Sequence, residues 1–272
     1  MISGEEGNLL IKSYLVKKKP FLVGRVGVEV RIVDAYDETG TVPDCLVKFL
    51  SSHCGYYGDC LAEFCAEYLN GIKSSDIQII WDINTLVESQ EKVFKKHSAG
   101  SIKASYQCVE PFYFNDPWSE ELTGLNVLVI NPFKESIESQ YLKKDKIWGN
   151  KKILPDFNLI AYKSVQSLCG HQPHSSWLES LNTMKDDIAK IDFDVALLGC
   201  GSYGMPLCAY IKNELHKSAI YVGGGLQILF GIKGKRWDDM PFFQGLYNEH
   251  WVRPLENEKP KNFNIVEEGC YW

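Results

Sequence analysis

The stretch FDVALLGCGSYGMPLCAYIKNELHK, residues 193–217, decides the fold. Its apolar run Val195–Leu198 breaks at Gly199, turns through Gly199-Cys200-Gly201-Ser202-Tyr203-Gly204 and enters a segment of helical period. The turn matches G-x-G-x-x-G in the context the motif requires, between a strand and a helix. Bare glycines let the backbone turn tightly and approach a phosphate. The helix start supplies free N–H groups and partial positive charge. The competing reading is that these glycines only let helix and strand pack closely.

Working outward, the same alternation recurs. SAIYVGGG (218–225) reads as a strand and glycine turn, followed by LQILFGI (226–232). Upstream, NVLVINPF (126–133) is a continuous apolar strand of the kind buried on both faces, broken at Pro132. It leads into the helix KESIESQYLKKDKIW, and LPDFNLIAYKSV and WLESLNTMKDDIAKI add a strand and a helix. In the N-terminal part, FLVGRVGVEVRIVD (21–34) opens as a strand and flexes at Gly24 and Gly27. DCLVKFLSS is a helix, and Asp59 is placed to cap CLAEFCAEYLNG, which should end at Gly71. DIQIIWDI is a strand and LVESQEKVFKKH an amphipathic helix. The tail after Arg236 reads as ordered coil. Strand–turn–helix alternation predicts an α/β, Rossmann-like fold, a largely parallel sheet with helices on both faces. A single domain over 1–272 is expected. The aromatic connection around EPFYFNDPW (110–118) divides it into halves, 1–115 and 116–272.

Net charge is −6, which argues against a nucleic-acid partner. The nine cysteines are scattered without CxxC spacing and suit buried free thiols in a reducing compartment. The start, MISGEEGNLL, lacks signal-peptide character. The longest uncharged run, Val195–Ile211, falls short of the roughly 20 apolar residues a membrane span needs. The expected location is cytoplasmic.

Candidate ligand residues gather where strands end. Beyond Gly199, Gly201, Tyr203 and Gly204, the glycines Gly223 and Gly224 follow a second strand. Lys235 and Arg236 then suit a phosphate clamp beside Trp237, a stacking surface; the rival reading is a solvated basic turn. Tyr203 and Trp118 are further stacking candidates. Arg25, Gly27 and Glu29 sit in a glycine-flexed turn where a charge pair faces a cleft or simply forms a surface ion pair. Asn131 and Pro132 close another strand. A dinucleotide site would place an acid at the end of the strand after the glycine turn, but Ala219–Val222 runs straight into Gly223. His171 and His174 are weak metal candidates, and Cys200 lacks a neighbouring histidine to activate it.

Several long segments together resemble the GT-D type of glycosyltransferase and its bacterial and viral sugar-transferase-like relatives. They are GRVGVEVRIV, CGYYGD, EPFYFNDPW, NVLVINPFKESIESQY, FDVALLGCGSYGMPLCAYIK and AIYVGGGLQILFGIKGKRWDD. The GT-D branch carries an acidic element resembling R-x-G-D-G-E. Here Arg25 and Gly27 match, Val28 stands at the Asp position, and Glu29 meets the acid once one residue is deleted. The resemblance implies a nucleotide-sugar-dependent transferase acting in glycan biosynthesis. Its donor would be a nucleoside-diphosphate sugar, its acceptor a glycan or lipid-linked molecule. It also implies a divalent metal, Mn or Mg, at Glu29. In this reading Arg25 and Glu29 are catalytic, and Gly27, the two glycine turns, Lys235, Arg236 and Trp237 bind the donor. The rivals are an S-adenosylmethionine- or NAD-dependent enzyme on the same turn, and a non-catalytic nucleotide- or glycan-binding module.

Overall fold

The computed structural model describes residues 1–272 apart from the side chain of Cys169. In chain order the elements are α1 (Gly4–Lys17), β1 (Leu22–Arg25), α2 (Glu29–Thr39), α3 (Asp44–Phe49), α4 (Leu61–Ser74), β2 (Ile77–Ile80), α5 (Asn84–His97) and β3 (Ile102–Ser105). After turns of 3-10 helix come β4 (Asn126–Asn131), α6 (Lys134–Tyr141), α7 (Lys144–Ile147), β5 (Asn158–Lys163), α8 (Trp177–Ile188), β6 (Val195–Leu198) and α9 (Gly204–Asn213). The chain closes with β7 (Ser218–Tyr221), α10 (Gly225–Leu229), α11 (Lys235–Asp238) and α12 (Pro241–Gln244). All seven strands are parallel, in the order β3-β2-β1-β7-β6-β4-β5. The α/β fold with helices on both faces is the one the alternation predicts.

The chain steps from β1 out to β2 and β3, crosses to β4 and β5 at the opposite edge, then fills the middle with β6 and β7. Steps toward the β3 edge place α2, α4, α5, α8 and α9 on one face, around Phe64, Tyr68 and Trp177. Steps the other way place residues 106–122, α6 and α7 on the opposite face, around Trp118 and Trp148. One handedness for every crossover requires this segregation. The sheet joins strands from both halves of the sequence, since β1 pairs with β7 at Val23–Ile220.

Two elements have no counterpart in the sequence reading. Helix α1 begins with a capping box in which Ser3 Oγ accepts from the Glu6 amide at 3.2 Å and Glu6 returns the bond at 2.8 Å. Just before it, Ile2 pairs with the outer side of β3, taking the Lys103 carbonyl at 2.8 Å and the Ser105 amide at 3.1 Å. Strand β3 is short and its flanking glycine and serines hide it. The tail also contains α11 and α12 within the predicted coil.

Helix α4 corrects two expectations. It starts after Cys60 without a side-chain cap from Asp59, and it runs past Gly71 to Ser74. Gly71 is no stop signal: a Cβ there would sit 2.9 Å from the Met205 carbonyl oxygen, so the bare backbone lets α4 and α9 close together. Gly71→Ala should therefore destabilise the protein by about 1–3 kcal/mol through overpacking, outweighing the roughly 1 kcal/mol of helix propensity that alanine adds. A urea midpoint equal to or above wild type would contradict this packing role.

Candidate functional site

All strands being parallel, their carboxyl ends share one edge, and a cavity of about 180 Å³ opens there. Strand β4 connects onward to one side and β6 to the other, so the cavity lies at a topological switch point, where open α/β sheets bind ligands. Asn131 pins the crevice: its amide nitrogen donates to the Gly199 carbonyl at 2.8 Å, and its oxygen accepts from the Phe133 amide at 2.9 Å. A Cβ at Gly199 would lie 2.7 Å from the Gly223 carbonyl, and one at Gly204 would lie 2.4 Å from the Tyr221 ring. Close packing thus accounts for these two glycines. Gly201 differs. Its φ of +58° favours glycine, and the nearest atom to a Cβ there would be the Cys54 carbonyl at 3.9 Å, leaving its backbone open to the cavity it lines.

Arg25 ends β1 and is buried. Its guanidinium lies 4.4 Å from the Trp81 ring centroid and 5.0 Å from that of Tyr106, and it donates to the Val222 carbonyl at 3.1 Å. A Cβ at Gly223 would come within 1.6 Å of its Nη1, so the second glycine turn makes room for this cation. Among the described residues Arg25 forms no ion pair. Burial opposes its charge, while the oxygens of Tyr106, Tyr221, Tyr271 and Glu110 act the other way and hold its pKa above the ordinary value.

Glu29 is the first residue of α2 rather than part of a strand-end turn. It is buried beside Arg25 without an ion pair among the described residues, so the surface-pair reading does not describe it. Gly27 leaves space for it, since a Cβ there would stand 2.6 Å from Glu29 Oε2. Burial raises the Glu29 pKa, offset in part by the amide of its own helix start, the Arg25 charge and the Cys54 thiol. Both residues line the cavity.

The remaining candidates separate. Arg236 lines the cavity, pairs with Glu267 at 2.6 Å and lies 4.7 Å from the Tyr271 ring centroid. Lys235 points away to Glu268 at 2.9 Å. Trp237 is buried against Gly224 and Phe243, so it offers no open stacking face. Trp118 lies wholly inside the core on the opposite face. Tyr203 touches the cavity with its hydroxyl bonded to Ser167 at 2.8 Å. Gly224 also lines it. His171 and His174 bond separately to the Gln166 carbonyl and the Ser180 hydroxyl. Burial pushes the Cys200 thiol up, away from the thiolate a nucleophile needs.

Sequence reasoning missed Tyr271 and Trp272, which wall the cavity from the tail, and Glu110. Glu110 is buried behind Arg25, accepts from the Tyr106 hydroxyl at 2.6 Å and crowds Gly225, where a Cβ would lie 2.3 Å from Oε1. A lone acid ahead of an aromatic run was the available signal.

Searched against protein-family models, curated proteins and solved structures, the chain matches none.

Burial raises the Glu110 pKa to about 7, with the Tyr106 bond and the charges of Arg25 and Arg236 pulling it back. A carboxyl raised in the folded state stabilises fully below its unfolded pKa and loses that contribution as pH rises through the folded value. Wild type should lose stability between about pH 4.5 and 7 by roughly 3 kcal/mol more than Glu110→Gln does. Parallel pH profiles from chemical unfolding of the two proteins would refute the assignment.

Proposed function

We propose that the chain transfers a sugar from a nucleoside-diphosphate sugar to a glycan or lipid-linked acceptor. The observation that carries this reading is a buried guanidinium, Arg25, without a carboxylate partner among the described residues. It lines one cavity with the open glycine turn at Gly201 and a carboxylate of raised pKa, Glu29. The unpaired cation suits a diphosphate, and the cavity-lining backbone of Gly201 and Tyr203, just ahead of α9, suits its oxygens. Arg236 joins them once the incoming anion replaces Glu267. The cavity is smaller than the roughly 300–1,000 Å³ usual for ligand sites, so it holds the diphosphate while the rest of the donor extends outward.

Glu29 takes the proton from the acceptor hydroxyl as that oxygen attacks the anomeric carbon. The bond to the diphosphate breaks, and the leaving charge falls on Arg25 and the glycine turn. A base of raised pKa suits this step, because proton transfer is most effective near the working pH. The resemblance also implies a divalent metal. Glu29 offers one carboxylate flanked by a guanidinium and a thiol, and no group of three His, Cys, Asp or Glu stands together among the described residues. That donor set does not form a hard-cation cage, so the proposed steps run on protein side chains. No helix among the described residues is long and apolar enough to cross a membrane. The free, mostly buried cysteines support a cytoplasmic site of action.

Thermal-shift titrations with UDP, GDP, S-adenosylmethionine and NAD test the ligand class, a nucleoside diphosphate giving the clear stabilisation. Arg25→Lys keeps a cation but loses the planar fork. It should weaken nucleoside-diphosphate binding at least 10-fold while changing nucleoside binding little. Equal losses for both ligands would show general disruption.

Glu29→Gln separates base from binding residue. Donor hydrolysis or transfer should fall on the order of 10²–10⁴-fold with donor affinity nearly unchanged. Near-normal turnover in the folded variant would remove Glu29 from the chemistry.

A further inference from the structure

A second groove of about 710 Å³ adjoins the cavity, and Pro132, Val165 and Gln166 line both. Its charged side chains are mainly basic, on a chain whose net charge is −6. Lys163 ends β5, His171 follows in the loop before α8, and Lys259 and Lys261 reach in from the tail. The carboxylate in its wall, Glu258, is buried and already accepts from the amides of Glu135 and Ser136 and the Ser136 hydroxyl. Lys163 and Lys259 each meet one exposed carboxylate, at 3.2 Å and 3.4 Å. Exposed pairs of that kind contribute little and yield readily to a ligand. Lys261 is exposed and forms no ion pair among the described residues.

A second observation is independent of charge. Ser164, 4% exposed, lines the groove, and its hydroxyl is turned inward, closed to solvent and without a hydrogen-bond partner. A buried hydroxyl left unpaired is costly, and rotation about the Ser164 χ1 toward the groove would let a ligand rich in hydroxyl groups satisfy it. Pro132, Val165, Pro173 and Pro260 supply apolar faces between the polar groups.

We infer that this groove binds an acidic saccharide, a sugar chain carrying carboxylate or phosphate groups, presented to the neighbouring cavity. The lysines of β5 and the tail read its charge, the Ser164 hydroxyl turns to meet a sugar hydroxyl, and the shared residues bring it to the diphosphate site. Its role as acceptor rests on the transferase reading; its binding does not.

Calorimetric titration of the full chain tests the inference with three probes: maltotetraose, phosphorylated maltotetraose, and a tetrasaccharide of alternating uronic acid and amino sugar. UDP is titrated in parallel. The charged probes should bind at least 10-fold more tightly than maltotetraose, and their relative affinities identify phosphate or carboxylate as the recognised group. Lys163→Ala/Lys261→Ala should remove at least 10-fold of that preference, flatten its salt dependence and leave UDP binding unchanged. Ser164→Ala should weaken the charged probes about 5-fold without altering salt dependence. Equal binding of neutral and charged probes, no binding of either charged probe, or full affinity in the double lysine variant would overturn the inference. A parallel loss of UDP affinity would overturn it too, making the groove an extension of the nucleotide cavity. Wild-type protein that binds acidic saccharides but not UDP would instead refute the transferase reading and leave the groove standing.

Discussion

A guanidinium kept inside a protein without an ion-paired carboxylate has to be accommodated by everything around it. Removing such an ion from water costs several kcal/mol even after relaxation. Around Arg25 the offset comes from one carbonyl, two aromatic faces and the bare backbone of Gly223. Those groups come from the ends of β2 and β7 and the turn after β3, far from one another and from Arg25 at the end of β1. They meet because parallel strands deliver all their carboxyl ends to one edge. Glu110 and Tyr106 then form a second layer behind the cation.

How far the sequence disclosed this depended on whether the signal was local. The run from Phe193 to Lys217 contains its own strand, turn and helix, so both the α/β class and the glycine turn were legible there. The meaning of individual glycines was not. Gly71 resembles a helix stop and is a contact point for Met205, and Gly223 resembles a phosphate turn and is the space Arg25 occupies. Both facts depend on partners more than 130 positions away. Short β3 is local, but its serine- and glycine-flanked sequence gives little period to read; helix α1 did carry a legible signal, in Ser3-x-x-Glu6 ahead of the i, i+4 pairs Leu10–Tyr14 and Ile11–Leu15.

Site residues followed the same division. Arg25, Gly27 and Glu29 stood out because charges beside glycine near a strand end are unusual, though Glu29 opens a helix rather than a turn. The basic pair divided, Arg236 facing the cavity and Lys235 facing away, because α11 is a single turn that sends neighbouring side chains in different directions. Trp118 and Trp237 are surrounded by core, which an aromatic side chain in a polar sequence cannot announce. Tyr271 and Trp272 reach the cavity by a tail whose path only tertiary contacts define.

The pairing of Ile2 with β3 has a consequence for self-association. An edge strand with free amides and carbonyls is a template on which another sheet can grow. Here the outward carbonyl of Lys103 and amide of Ser105 are already engaged, so that end of the sheet is closed. Strand β5 pairs only with β4 and is the remaining open end. A building block with one adhesive end can join a single partner through it and then has nothing left to offer. Sheet-to-sheet growth by the folded protein therefore terminates at two copies, and a fibre requires the N-terminal residues to peel away first.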